Sequence, residues 1–303
     1  MHRLSARYLY AIVVVSAVVA IVLYARHVAT HPPHSSNPNL EGNSSAGQTL
    51  WVTAHGFRLK TRVYRSARAS DHPILVVVLH GDSPFSPPSY QYVFAREAAA
   101  QIENLTVAAI LRPGYTDDTG DTSDGEHGHT TGDNYTPQVV DAVAGAAAQL
   151  EVRYASSRVI VVGHSGGATI SADLIERDPD LADAALLVSC PCDVPAFRKH
   201  MAAKQFNPLW LAPTHSLSPL DRIDHVSAST IVRLLVGAND DVAPPVITKE
   251  YAAALRARHI DVGVTLVPGQ GHDIFLEPVV LEALQALAAT LEASPRSAIP
   301  RGR

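Results

Sequence analysis

Two unbroken apolar runs, "PILVVVLH" from Pro73 to His80 and "LTVAAILR" from Leu105 to Arg112, constrain this chain more than any other feature. A strand with one face in water alternates apolar and polar residues; a run this uniform must be covered on both faces. "RVIVVG" (Arg158 to Gly163), "DAALLVS" (Asp183 to Ser189), "TIVRLLVG" (Thr230 to Gly237) and "DVGVTLVP" (Asp261 to Pro268) read as further strands. Helical segments lie between them: Tyr92 to Ile102, Thr136 to Tyr154, Gly166 to Arg177, Pro245 to Arg258 and Leu276 to Ala293. Strand alternating with helix predicts a mostly parallel sheet with helices on both faces. Ahead of it, "LWVTAHGFRLKTRVYR" (Leu50 to Arg65) alternates about His55-Gly56, as a hairpin does. Pro191 to Ser229 interrupts the pattern and predicts a small cap over the carboxyl ends of the strands, where open α/β sheets gather their functional groups.

The first 27 residues are of another kind. Arg3 and Arg7 precede "YLYAIVVVSAVVAIVLY", Tyr8 to Tyr24, which carries no charge. At roughly 1.5 Å per residue it crosses most of a hydrocarbon layer about 30 Å thick. The residues beyond it match an A-x-A cleavage site poorly, so an uncleaved anchor is the expectation and a signal peptide the alternative. Either way the positive flank keeps the N-terminus inside and sends the remainder across the membrane, leaving the domain anchored, or secreted or periplasmic after cleavage. Residues 28–48, rich in Pro, Ser, Asn and Gly, read as a flexible linker. Residues 49–295 form the predicted domain, with the cap at about 191–229, and 296–303 read as a disordered tail. A net charge of −5 without a Lys/Arg run argues against nucleic-acid binding.

Within this frame "VVGHSGGATI" is the functional signal. Gly163-His164-Ser165-Gly166-Gly167 fits G-x-S-x-G at a strand-to-helix turn, which lifts a serine hydroxyl clear of the backbone. The helix behind it directs its N-terminal N–H groups at developing negative charge. No phosphate-loop pattern and no G-x-G-x-x-G opening a helix is present. A serine needs a base, and the base an orienting acid, in the chain order Ser, Asp or Glu, His. "LLVGANDDVAPP" supplies Asp240 past one strand, with Asp241 and the earlier Asp193 as alternatives; "VPGQGHDIF" supplies His272 past the next. For the oxyanion, the backbone N–H of Gly166 and that of Asp82, in the loop after "VVVLH", are the expected donors.

Together "LHGD", "GHSGG", "GANDDVAPP" and "GQGHD" make residues 50 to 295 resemble the α/β-hydrolase superfamily, with Asp and His loops most similar to prolyl oligopeptidase-type peptidases and small carboxylesterases. The resemblance implies acyl transfer through an acyl-enzyme on Ser165, without a cofactor or metal, on a small-molecule ester or a short peptide or amide. Two other readings stay open: a catalytically silent hydrolase-fold binding protein, and an acyltransferase with the same triad.

Arg112 and Tyr115, at a strand end, and Trp210, in the cap, are the further residues expected to approach substrate. The stretch Leu111 to Pro137 carries Asp117, Asp118, Asp121, Asp124, Glu126, His127, His129 and Asp133. It reads as a solvated acidic loop at the pocket mouth; a metal site is the alternative, without EF-hand or H-E-x-x-H spacing. The only cysteines, Cys190 and Cys192, read either as reduced, buried thiols beside the pocket or, where oxidising chemistry reaches them, as a C-x-C bridge that closes a very small ring.

Overall fold

The computed structural model describes residues 47–83 and 85–294. The expected anchor, nearly all of the linker and the tail lie outside these residues. Among the described residues no helix is long and apolar enough to cross a membrane.

The hairpin forms where its alternation placed it: β1 (Gln48–Ala54) and β2 (Phe57–Arg65) pair antiparallel around His55-Gly56, with Ala54 opposite Phe57. The apolar runs become β3 (Ile74–Leu79), β4 (Leu105–Ile110), β5 (Arg158–His164), β6 (Ala184–Val188), β7 (Ile231–Gly237) and β8 (Asp261–Val267). The helices are α1 (Tyr90–Gln101), α2 (Pro137–Arg153), α3 (Gly166–Arg177), α4 (Val194–Gln205), α5 (Pro245–Ala257) and α6 (Pro278–Ala293). Strands of the described residues join in one sheet, ordered β1-β2-β4-β3-β5-β6-β7-β8. β2 meets β4 antiparallel, and every pairing from β4 to β8 is parallel.

β3 shows why its run is uniform. Leu75, Val77 and Leu79 face one apolar core, shared with α2, α3 and α5. Ile74, Val76 and Val78 face the other, shared with α1 and α6. Successive side chains point to opposite faces, so both sets must be apolar. Each such buried side chain contributes about 1.5–3 kcal/mol.

Local chemistry sets the helix ends. Thr136 accepts the N–H of Val139 at 3.3 Å and Pro137 follows, so α2 starts with a side-chain cap and a pre-set φ. Asp193 caps α4 by accepting the N–H of Ala196 at 2.9 Å. Between β6 and β7 lie α4 and two 3-10 turns, Pro208–Leu211 and Pro219–His225. Phe197, Met201 and Trp210 of this excursion form a small separate core with Ala243 and Ile247.

In the long acidic stretch Asp118, Asp121, Asp124, Glu126, His127 and His129 are exposed, and Asp117 alone of its carboxylates is buried. Lys60, on β2 and buried, holds Asp117 at 2.6 Å and Asp121 at 2.7 Å. Tyr92 donates to Asp117 at 3.0 Å, and the N–H of Arg58 donates to Asp124 at 2.9 Å. Burial pushes the Asp117 carboxyl up, but hydrogen bonds from Lys60 and Thr119 outweigh it and hold it below the usual range. Among the described residues no group of His, Cys, Asp and Glu is arranged to hold a metal ion.

Candidate active site

Ser165 stands between β5 and α3 with φ 51° and ψ −121°. A non-glycine residue at positive φ is strained, and such strain collects at functional sites. Its neighbours must be small because backbone crowds them. A Cβ at Gly163 would lie 2.3 Å from the Gly167 carbonyl oxygen, and one at Gly167 would lie 2.4 Å from that of His80. Ser165 occupies the N-cap position of α3 without capping it. Its hydroxyl points elsewhere: Oγ lies 2.9 Å from His272 Nε2.

His272 sits in the loop after β8. Its Nδ1 lies 2.9 Å from Oδ2 and 3.1 Å from Oδ1 of Asp240, in the loop after β7. The Asp240 side chain is fully buried, and its Oδ1 accepts the N–H groups of Val242 and Ala243, both at 2.9 Å. Four contacts hold the carboxylate against His272. Of the alternatives, Asp241 is exposed and pairs with Lys204 at 2.7 Å, while Asp193 caps α4. Asp240 alone of the three touches His272.

The loop after β3 packs directly on the elbow: a Cβ at Gly81 would lie 3.0 Å from Ser165 Cβ, and one at Gly166 would lie 2.5 Å from Asp82 Oδ1. The two backbone groups expected to receive an oxyanion, Gly166 N–H and Asp82 N–H, therefore belong to one small region beside Ser165. The Asp82 side chain is held from several sides. Arg112 bonds Oδ1 at 2.9 Å, while Tyr135 Oη and the N–H of Gly132 donate to Oδ2 at 2.6 and 2.9 Å. Tyr115 adds a longer contact of 3.4 Å. Burial and the neighbouring Asp82 charge push the Tyr135 hydroxyl well above its ordinary pKa, so it stays a donor. His80 is tied in as well: its Nε2 accepts the N–H of Arg112 at 3.0 Å, so the proton sits on Nδ1, which donates to the Gly81 carbonyl at 2.7 Å. Burial, then the Arg112 charge, push His80 far below its ordinary pKa and keep it neutral.

The three further side chains expected to approach substrate are turned inward. Arg112, Tyr115 and Trp210 are only 1%, 3% and 5% exposed. The Arg112 guanidinium is spent on Asp82 and the His80 carbonyl. Tyr115 stacks edge-on against His80, and Trp210 packs on Phe197 and bonds Gln205. Each supports other residues and offers little surface to a substrate. Of the two states open to Cys190 and Cys192, the structure holds the disulfide. The supporting contacts of His80 and Tyr135 around Asp82 were not read from the sequence. His80 lies inside "LHGD", but nothing in the spacing marks Tyr135.

A family model described as the prolyl oligopeptidase family matches residues 114–288, more than half of the 303 residues. The chain belongs to the prolyl oligopeptidase family. No curated protein matches the chain in sequence. Among solved structures, a puromycin-hydrolysing peptidase from Mycobacterium tuberculosis superposes with a TM-score of 0.64 at 20% identity, over 86% of this chain and 42% of that one. The acylaminoacyl peptidase of Pyrococcus horikoshii gives 0.65 at 11% identity, over 87% and 44%. The Pyrococcus furiosus esterase Pf2001 gives 0.59 at 14% identity, over 84% and 97%. At such identities the likeness is one of fold, the α/β-hydrolase fold. The chain spans less than half the length of these two peptidases and nearly the whole of the esterase.

Proposed function

We propose that Ser165 is the nucleophile, His272 the general base and Asp240 its orienting acid, in an enzyme that cleaves an ester or a short peptide or amide. The single observation that carries this reading is the continuous contact from Ser165 Oγ through His272 to Asp240, 2.9 Å at each junction. Ser165 Oγ attacks the substrate carbonyl carbon as its proton passes to His272 Nε2. The carbonyl oxygen gathers charge and is received by the N–H groups of Gly166 and Asp82. His272 returns the proton to the leaving group, and water repeats the sequence to release the acid.

The Asp82 carboxylate lies beside that oxyanion position, and an uncompensated negative charge there would oppose the reaction. Arg112, bonded at 2.9 Å, neutralises it. We assign Arg112 this compensating role in place of substrate contact.

The same reading holds the domain outside the cytoplasm, tethered by residues 8–24 through the linker at 28–48. The Arg3 and Arg7 flank supports the orientation. The Cys190–Cys192 disulfide supports the compartment, because such bonds persist where the environment oxidises.

Hydrolysis of a p-nitrophenyl ester by wild type and Ser165→Ala tests the assignment. Ser165→Ala should lose several orders of magnitude in kcat with an unchanged circular-dichroism spectrum. Residual activity within tenfold of wild type would show that another group does the chemistry.

A further inference from the structure

Behind the triad runs a line of hydrogen bonds that the reaction itself does not use. The N–H of Gly81 meets Tyr90 Oη at 2.5 Å. Tyr90 Oη lies 2.8 Å from His164 Nδ1, and His164 Nε2 lies 3.2 Å from the carbonyl oxygen of His272. Ser189 Oγ donates to the same carbonyl at 2.9 Å.

Every donor in this line can be settled. A carbonyl oxygen only accepts, so His164 Nε2 must carry a proton. His164 is buried; that burial, then the neighbouring His272, push its pKa down to about 4, so it is neutral at physiological pH. Its Nδ1 is therefore bare and accepts the Tyr90 hydroxyl proton. The Tyr90 oxygen keeps a lone pair for the Gly81 N–H. Burial raises the Tyr90 pKa, so the hydroxyl keeps its proton. Phe275 packs edge-on against Tyr90 and tilted over His164, which locks both rings.

The chain positions give the line its meaning. Gly81 precedes Asp82, an expected oxyanion donor. His164 precedes Ser165. His272 is the base. One hydroxyl thus joins the three loops that must be in register before an acyl group arrives. Resting on the assignment of Ser165 and His272, we infer that Tyr90 is a positioning residue that, through the Nε2–H tautomer of His164, holds the oxyanion loop, the nucleophile elbow and the base loop in their reactive arrangement. In Tyr90→Phe the Gly81 N–H loses its acceptor and His164 Nδ1 its donor. The His272 carbonyl still holds the His164 proton on Nε2, but with Nδ1 and the Gly81 N–H unpartnered the ring no longer ties the oxyanion loop to the elbow and the base loop.

The test uses the full chain and begins with nitrogen-15 NMR of His164 in wild type and Tyr90→Phe, which needs no catalysis. Both should show the Nε2–H tautomer, with the Nδ1 resonance of the variant shifted by the loss of its hydrogen bond from Tyr90. On a p-nitrophenyl ester, with active sites counted by fluorophosphonate labelling, kcat of the variant should fall by about ten- to hundredfold with KM within about twofold, as for small misplacements of reacting groups. The labelling rate should fall in parallel while its end point stays complete. In a double-mutant cycle with His164→Leu, the two losses should not add. An Nδ1–H tautomer in wild type overturns the inference even if the variant fails to fold. A variant whose melting temperature drops while kcat per labelled site stays within threefold also overturns it, since that is a structural role alone. Absence of any Ser165 labelling in wild type, with the tautomer as stated, overturns the catalytic assignment and with it the link to catalysis, but leaves the hydrogen-bond line standing.

Discussion

Replacing Asp240 with Asn should reverse one hydrogen bond and thereby remove the base. The side chain is fully buried, with Oδ1 on the N–H groups of Val242 and Ala243 and Oδ2 on His272 Nδ1. An asparagine must keep its carbonyl oxygen on the two backbone donors. Turning its NH2 there would leave two buried N–H groups unpaired, at about 1–3 kcal/mol each. The NH2 therefore faces His272 Nδ1, which must offer a lone pair and move its proton to Nε2. Nε2 lies 2.9 Å from Ser165 Oγ and can then no longer accept the serine proton. Losing a triad carboxylate in this way costs about ten-thousandfold in kcat, or about 5.5 kcal/mol of barrier. The assay is hydrolysis of one p-nitrophenyl ester, with circular dichroism as a folding control. Asp193→Asn should stay within about twofold, because Asn caps a helix as well as Asp does. Asp241→Asn should be equally mild, since it removes only a surface pair with Lys204, worth about 0.2–1 kcal/mol. A folded Asp240→Asn enzyme with kcat within tenfold of wild type, or a larger loss at Asp193, refutes this reasoning.

Other consequences concern stability. Burial, with Asp173 beside it, pushes the Glu176 carboxyl up to about 10, so the folded protein keeps a proton that the unfolded chain gives up above about 4.5. Stability therefore drains as pH rises through that window, and Glu176→Gln should raise the melting temperature more at pH 8 than at pH 5. For His164 the sign is opposite. Folded protein stays neutral to about pH 4 while the unfolded chain takes a proton below about 6.5, so as much as about 3 kcal/mol is lost as pH falls across that interval. Melting curves of His164→Gln should show a shallower acid slope than wild type between pH 6.5 and 4.5. Gly167→Ala presses a methyl against the backbone carbonyls of Leu79 and His80, which cannot swing aside. It should destabilise by about 1–3 kcal/mol in chemical denaturation.

Much of this molecule was legible because its signals are local or periodic. Uniform apolar runs mark strands covered on both faces, and β3 divides its side chains between two cores as that implies. The hairpin about His55-Gly56 and α3 from Gly166 to Arg177 stand at or within two residues of their expected limits. Ser165, Asp240 and His272 meet as their chain order suggested, because each follows a parallel strand and all such loops leave the same edge of the sheet. Strand order is different in kind: nothing local says that β4 crosses to lie between β2 and β3. Burial of charged residues was equally hidden. Arg112 reads as a free cation at a strand end until Asp82 and His80 are brought to it from a segment about thirty residues away. Lys60 likewise looks like an outward residue of a hairpin until Asp117 folds onto it. The redox state of the cysteines was not legible, because ring size argues against a C-x-C bridge while the turn after β6 brings Cys190 and Cys192 together.

The most direct measurement is labelling of the purified full chain with a fluorophosphonate, followed by peptide mapping of the adduct. The reagent reports an activated serine beside a base, whatever the natural substrate is. One adduct is expected, on Ser165, with none in Ser165→Ala and a labelling rate that collapses in Asp240→Asn. A folded wild-type protein that takes up no label, or one labelled at a different serine, would contradict the assignment of Ser165, His272 and Asp240 as a catalytic triad.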